Sequence, residues 1–192
     1  MSAVDVNMPY SSPVIEALDR LARRQQGPLR LAQPVAIVGP REATPEQEAV
    51  AYRLALALAG AGLTLVCGGK IGVMQAAARG ARDAGGICVG LLPEEEAAHG
   101  NPFLTVALPT GIGLSRNMLV ARSAACLVAV GGGLGTLSEI AMALQWKKPV
   151  FATAQAPHVA GAQYYDDEET LLLDALAWLA RFSPQQAADL GG

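Results

Sequence analysis

Cys126-Leu-Val-Ala-Val-Gly-Gly-Gly-Leu-Gly-Thr-Leu-Ser-Glu139 is the stretch whose reading decides the fold. An unbroken apolar run passes straight into four glycines and then into a segment that opens like a helix. Continuous hydrophobicity, without alternation, marks a parallel strand covered on both faces. The glycines let the chain turn sharply and let bare backbone come close to a ligand. The unit reads as strand, glycine loop, helix.

The same unit recurs outward in both directions. Apolar runs predict strands at 35–39, 63–67, 87–91, 104–108, 126–130 and 149–153. Between them, Thr44 with Gln47 forms a capping box and Pro45 occupies the first helical position, with Gly60 and Gly62 as the stop. Further helices are expected over 72–84, ended by Gly85-Gly86, and over 114–124, 136–146 and 167–181. Strand–helix alternation of this kind predicts an α/β, single-domain, doubly wound (Rossmann-like) parallel sheet with helices on both faces. A closed eightfold barrel needs about 250 residues, and this chain has 192.

Three segments follow. Residues 1–33 read as an N-terminal arm, disordered over 1–12 and then helical. Ser12 is the expected N-cap and Pro13 the first helical residue, with Val14, Ile15, Leu18, Leu21 and Ala22 on one face and Arg20, Arg23 and Arg24 at the far end. This arm is expected to pack on the domain or on a partner subunit. Residues 34–182 form the Rossmann-like nucleotide-binding domain, and 183–192 a flexible C-terminal tail.

Composition narrows the function. A net charge of −3 offers no general attraction to nucleic acid or to an anionic membrane. No run approaches the ~20 apolar residues of a membrane span, and the first residues lack the pattern of a signal peptide. Cys67, Cys88 and Cys126 are odd in number and each lies in an apolar run, so they read as core hydrophobes in a reducing cytoplasm. His99 and His158 lack metal-ligand spacing, so no metal is expected; no cofactor is expected to be required beyond a phosphate-bearing nucleotide or pterin ligand.

In an open α/β sheet, ligands bind beyond the carboxyl ends of the strands. The glycines concentrate there: Gly39 after the first strand; Gly68, Gly69 and Gly72 after the second; Thr110 and Gly111 after the fourth; Gly131, Gly132, Gly133, Gly135 and Thr136 after the fifth. The last loop reads as a phosphate cradle, with free N–H groups and the positive end of a helix dipole. It is neither a Walker loop nor the usual dinucleotide fingerprint, whose third glycine falls at Thr136. Arg116 and Glu139 belong to helices that start at the same edge, Arg116 near the start of one and Glu139 one turn after the glycines of the other, and they carry opposite charges. Singly, Arg116 reads as a surface cation and Glu139 as the end of a Thr136-x-x-Glu139 capping box. Together they read as a catalytic pair: an anion-gripping guanidinium and a carboxylate able to stabilise a cationic transition state or activate water.

The run 65–74, the phrase Arg116-Asn117 and the run 131–139 together resemble the LOG ("lonely guy") superfamily, whose members carry a Gly-Gly-x-Gly-Thr-x-x-Glu motif with an arginine upstream. Arg116 stands 23 positions before Glu139, as in that pattern. The resemblance covers roughly 34–174 and implies Arg116 and Glu139 as the catalytic residues of a phosphoribohydrolase, which splits a nucleoside 5′-monophosphate into free base and ribose 5-phosphate. It also implies a homodimer. Val130 stands where the LOG enzymes have proline, and Asn117 where they have lysine. These departures, with Asn101-Pro-Phe103 and Pro109-Thr-Gly111, resemble the sister branch of molybdenum-cofactor carrier proteins, which implies a non-catalytic carrier or sensor of a phosphorylated pterin or nucleotide. The lysine decarboxylase label attached to some relatives is set aside, since no lysine has a convincing pyridoxal-phosphate setting.

Overall fold

The structure, a computed structural model, describes residues 10–153 and 155–182. One seven-stranded sheet forms its centre, in the order β4-β3-β2-β1-β5-β6-β7 and parallel throughout. The strands are β1 (Val35–Val38), β2 (Leu65–Cys67), β3 (Cys88–Leu92), β4 (Val106–Pro109), β5 (Leu127–Val130), β6 (Val150–Thr153) and β7 (Gln163–Tyr165). The helices are α1 (Ser12–Gln25), α2 (Pro45–Gly60), α3 (Val73–Asp83), α4 (Arg116–Ser123), α5 (Leu134–Gln145) and α6 (Glu168–Arg181). The doubly wound parallel architecture expected from the sequence is present.

Side-chain alternation along the central strands divides the core in two. Val35 and Ile37 of β1 point into a large cluster built with α1, α2, α3 and α6. Ala36 and Val38 point the other way, into a smaller cluster built with α4 and α5. Both faces of β1 and β5 are fully covered, which is why those runs show no polar alternation.

Local signals explain most element ends. Thr44 and Gln47 form the reciprocal capping box at the start of α2. Gly62, at φ +84°, turns the chain off its far end. Lys148 is buried, and its Nζ donates to the carbonyls of Ala121, Arg122 and Ala124, closing the C-terminal end of α4. The three cysteines are free and buried, with Cys67 Sγ 3.8 Å from Cys88 Sγ.

Several expectations need correction. The strand β7 was not foreseen: three residues with two tyrosines and no apolar run carry no strand signal. Ser11, not Ser12, takes the N-cap position of α1, without a side-chain cap. Residues 1–9 of the segment expected to be disordered lie outside the described residues, as does the tail 183–192, but Tyr10 is buried in the larger core. Ile15 lies on the exposed side of α1, while Val14, Leu18 and Leu21 are buried against the domain. Arg24 has a more specific role than a dipole partner: it donates to the carbonyls of Leu179, Ala180 and Phe182 and so caps α6. The fourth expected helix divides into a 3-10 turn at Gly113–Ser115 and then α4. The fifth begins two residues early, at Leu134, and that shift matters for the site.

Helices α2 and α3 touch through Gly80, where a Cβ would overlap the Tyr52 carbonyl oxygen. Alanine in a helix interior is favoured over glycine by about 1 kcal/mol, whereas overpacking costs about 1–3 kcal/mol. Gly80→Ala is therefore expected to destabilise the protein in urea unfolding. A variant more stable than wild type would show that the two helices separate freely.

Candidate functional site

The strand order fixes where a ligand can sit. From β1 the chain winds outward through β2, β3 and β4, then returns to place β5 on the other side of β1. The helices leaving β1 and β5 diverge to opposite faces, opening a crevice at the strands' carboxyl ends. The two strand ends meet closely there, since a Cβ on Gly39 would overlap the Val130 carbonyl oxygen.

Beyond β5, Gly131 and Gly132 take φ values of +61° and +144°, which turn the chain into α5. Gly133 is the N-cap residue, with φ −130° and ψ −151°. The first intrahelical bond runs from Leu137 N to Gly133 O, so the amides of Leu134, Gly135 and Thr136 belong to the unpaired first turn. Because α5 begins at Leu134, Thr136 is its third residue and Glu139 its sixth. The capping box expected for Thr136 and Glu139 is therefore absent: the N-cap is a glycine without a side-chain bond, and Glu139 points inward.

Glu139 meets Arg116, the first residue of α4. Their closest approach is 3.4 Å between Arg116 Nη1 and Glu139 Oε1, with both residues at least 95% buried. Charge-assisted bonds usually close to about 2.7–2.9 Å, so this pair is loose. Burial drives the Glu139 carboxyl from an ordinary 4.5 up to about 7, with the Arg116 charge pulling it back. Burial likewise pulls the Arg116 guanidinium down, against the attraction of Glu139. For both groups desolvation exceeds mutual attraction. Arg116 Nε is also buried and has no hydrogen-bond partner among the described residues. Asn117 donates from Nδ2 to Gly135 O and Ser138 Oγ, tying the start of α4 to the start of α5.

These groups line a cavity of about 310 Å³. Of the residues singled out in the sequence, Gly39, Gly68, Arg116, Gly133, Gly135, Thr136 and Glu139 line it. Gly68 does so by leaving room for Arg116, whose guanidinium a Cβ would strike. The others support the walls or lie elsewhere. Gly131 and Gly132 back onto Gln47 and Thr136; Gly69 packs on Leu92; Gly72, at φ +70°, seats the Pro40 and Arg41 carbonyls. Thr110 and Gly111 do not reach the cavity, because β4 is the sheet edge and Thr110 Oγ1 is spent on Leu92 O. The sequence reading missed Arg41, Glu42, Met74 and Leu114 as lining residues. Arg41 was open to discovery, lying just past the end of the strand at the switch point. Among the described residues, no group of three or more histidine, cysteine or acidic side chains is placed to hold a metal.

Comparison with known proteins agrees with this fold. The model of the SLOG cluster4 family matches residues 32–177. An uncharacterized protein of Archaeoglobus fulgidus is 35% identical over 135 residues, covering 70% of this chain and 89% of that one. The structure of a molybdenum cofactor binding protein from the phototrophic bacterium Rippkaea orientalis aligns at 32% identity and a TM-score of 0.63, covering 83% of this chain and 96% of that one. The molybdenum cofactor carrier protein of Chlamydomonas reinhardtii aligns at 30% identity and a TM-score of 0.67, covering 77% and 98%.

The raised Glu139 carboxyl has a measurable consequence. A carboxyl that binds its proton more tightly when folded stabilises the protein below pH 4.5, and this contribution is lost as pH rises through about 7. Urea unfolding of wild type and Glu139→Gln across pH 4–8 should therefore show wild type losing on the order of 3 kcal/mol relative to the variant in that window. A difference independent of pH would mean that the Arg116 charge fully offsets the burial of Glu139.

Proposed function

The chain belongs to the SLOG cluster4 family, and from that premise we propose that it binds a small phosphorylated ligand of the pterin or nucleotide class at the Arg116–Glu139 crevice, with molybdenum cofactor the foremost candidate. One observation carries this reading: Arg116, whose buried Nε has no hydrogen-bond partner among the described residues, lines a cavity that the first turn of α5 also lines. An anionic oxygen in that cavity completes the guanidinium and meets the amides of Leu134, Gly135 and Thr136. The glycines support it further. Gly133 has an extended φ that any residue adopts, and a Cβ there would meet nothing within 4 Å. Neither packing nor backbone conformation asks for glycine at this position; close approach of a ligand does. The likeness to the molybdenum cofactor proteins of Rippkaea and Chlamydomonas adds weight to a carrier role.

A second reading, phosphoribohydrolase activity on a nucleoside 5′-monophosphate, is favoured by Glu139 itself. A carboxyl near pKa 7 at the cavity wall is suited to pass a proton to a departing base or to take one from water. Arg116 then holds the phosphate or positions the base. Calorimetry with molybdenum cofactor and with AMP, beside an assay for base release from nucleoside monophosphates, separates the two. Binding of the cofactor without base release supports the carrier; base release that Glu139→Gln abolishes supports the hydrolase.

Gly133→Ala should leave stability within about 0.5 kcal/mol of wild type yet weaken binding by about tenfold or more. Unchanged binding in that variant would remove α5 from the site.

We further propose a homodimer in the cytoplasm. The apolar face of α1 is already used against the domain, so it is not the dimer surface suggested by the sequence. The exposed Val106, Leu108, Leu114, Met118 and Leu134 are the better candidates. Light scattering at micromolar concentration should give twice the chain mass; a monomer mass would contradict it.

A further inference from the structure

A separate cavity, of about 260 Å³, lies on the α2 and α6 side of the sheet. The starts of those two helices form its walls, and the carboxyl ends of β5 and β6 form its floor. Its charges do not balance. Four carboxylates line it, those of Glu46, Asp166, Asp167 and Glu168, against the one guanidinium of Arg53. That guanidinium is already closed, since Arg53 Nε and Nη2 each donate to an oxygen of Glu168 at 2.6 Å. Glu46 on the α2 wall, and Asp166 and Asp167 on the α6 wall, form no ion pair among the described residues. The floor carries an independent signal. Thr153 ends β6, and strand alternation turns its side chain the same way as Phe151, toward α2 and α6. It is only 7% exposed and lines the cavity, yet its hydroxyl has no hydrogen-bond partner among the described residues. A hydroxyl buried without a partner is costly, and a ligand that bonds to it recovers that cost. The carboxylates do not converge on a point: among the described residues, no three acidic, histidine or cysteine side chains are placed to hold one metal ion. Charge spread over opposite walls matches an extended cation. The space, about 260 Å³, falls below the about 300–1,000 Å³ of most ligand pockets, so that cation is small.

We propose that this cavity is a binding site for a small aliphatic diamine. Its ammonium groups meet Glu46 on one wall and Asp166 and Asp167 on the other, and one of them donates to Thr153 Oγ1. Its methylenes lie over Val50 and Val130, which supply the apolar surface of the cavity. The site is distinct from the Arg116–Glu139 crevice and does not depend on what that crevice holds.

Calorimetric titration of the full chain with putrescine tests it, at low salt so that the exposed carboxylates are not screened. Putrescine should bind one to one and at least about tenfold more tightly than n-butylamine, which carries a single ammonium group. Thr153→Val keeps the side-chain shape and removes the hydroxyl, and should weaken putrescine binding about tenfold. Thr153→Ser keeps the hydroxyl and should bind as wild type does. Asp166→Asn, at an exposed position, should weaken binding about threefold. Thermal melting of each variant establishes that the fold is intact, and Asp166→Asn decides the matter if Thr153→Val does not fold. Equal affinity for the two amines, displacement of putrescine by an equal concentration of magnesium ion, or affinity unchanged in both Thr153→Val and Asp166→Asn overturns the site. So does the absence of putrescine binding.

Discussion

The loosely closed ion pair between Arg116 and Glu139 is the constraint around which the rest of the site is arranged. Two charges are buried at 3.4 Å, too far apart to satisfy each other fully. Arg116 begins α4 and Glu139 lies in the second turn of α5, on the same face of the sheet, so the pair also joins α4 to α5. A purely structural pair of this kind gains most by closing to hydrogen-bond distance. This one leaves Arg116 Nε without a partner and Glu139 poised near neutral pH. Such an arrangement stabilises the fold poorly and leaves on Arg116 a donor for the anionic ligand proposed above.

The scaffold explains how that arrangement is held. The meeting of β1 and β5 at Gly39 and Val130 brings two helix starts to one crevice. Asn117 ties those helix starts together, while Lys148 fixes the other end of α4 through three carbonyls. The glycines divide by cause. Gly39 and Gly68 are glycine because something else occupies the space of a side chain; Gly72, Gly131 and Gly132 are so for backbone turning as well; Gly133 faces open space.

Much of this was legible in the sequence. Continuous apolar runs gave the central strands because both faces are covered, and the helix order followed from their spacing. The arginine and glutamate were found through paired opposite charges at one sheet edge. The failures share a physical origin in short-range signals that tertiary contacts override. Thr136 and Glu139 match a capping box in spacing, but the helix begins at Leu134, so the spacing is coincidental. Thr110 and Gly111 look like a ligand loop, yet topology sends their strand to the edge. β7 pairs with β6 over three residues, too few for a pattern. Arg41 stands in the loop just past the first strand, where a ligand-facing residue is expected, but nothing in a linear chain says that this loop and the start of α4 face one cavity.

The central claim is that the crevice between Arg116 and the first turn of α5 receives the ligand's anionic group. A crystal of the protein soaked with AMP tests it most directly. Phosphate density is expected within hydrogen-bond reach of the Leu134, Gly135 and Thr136 amides, with the Arg116 guanidinium turned to it. Phosphate density confined to sites outside this crevice, with Arg116 still facing Glu139 alone, would contradict it.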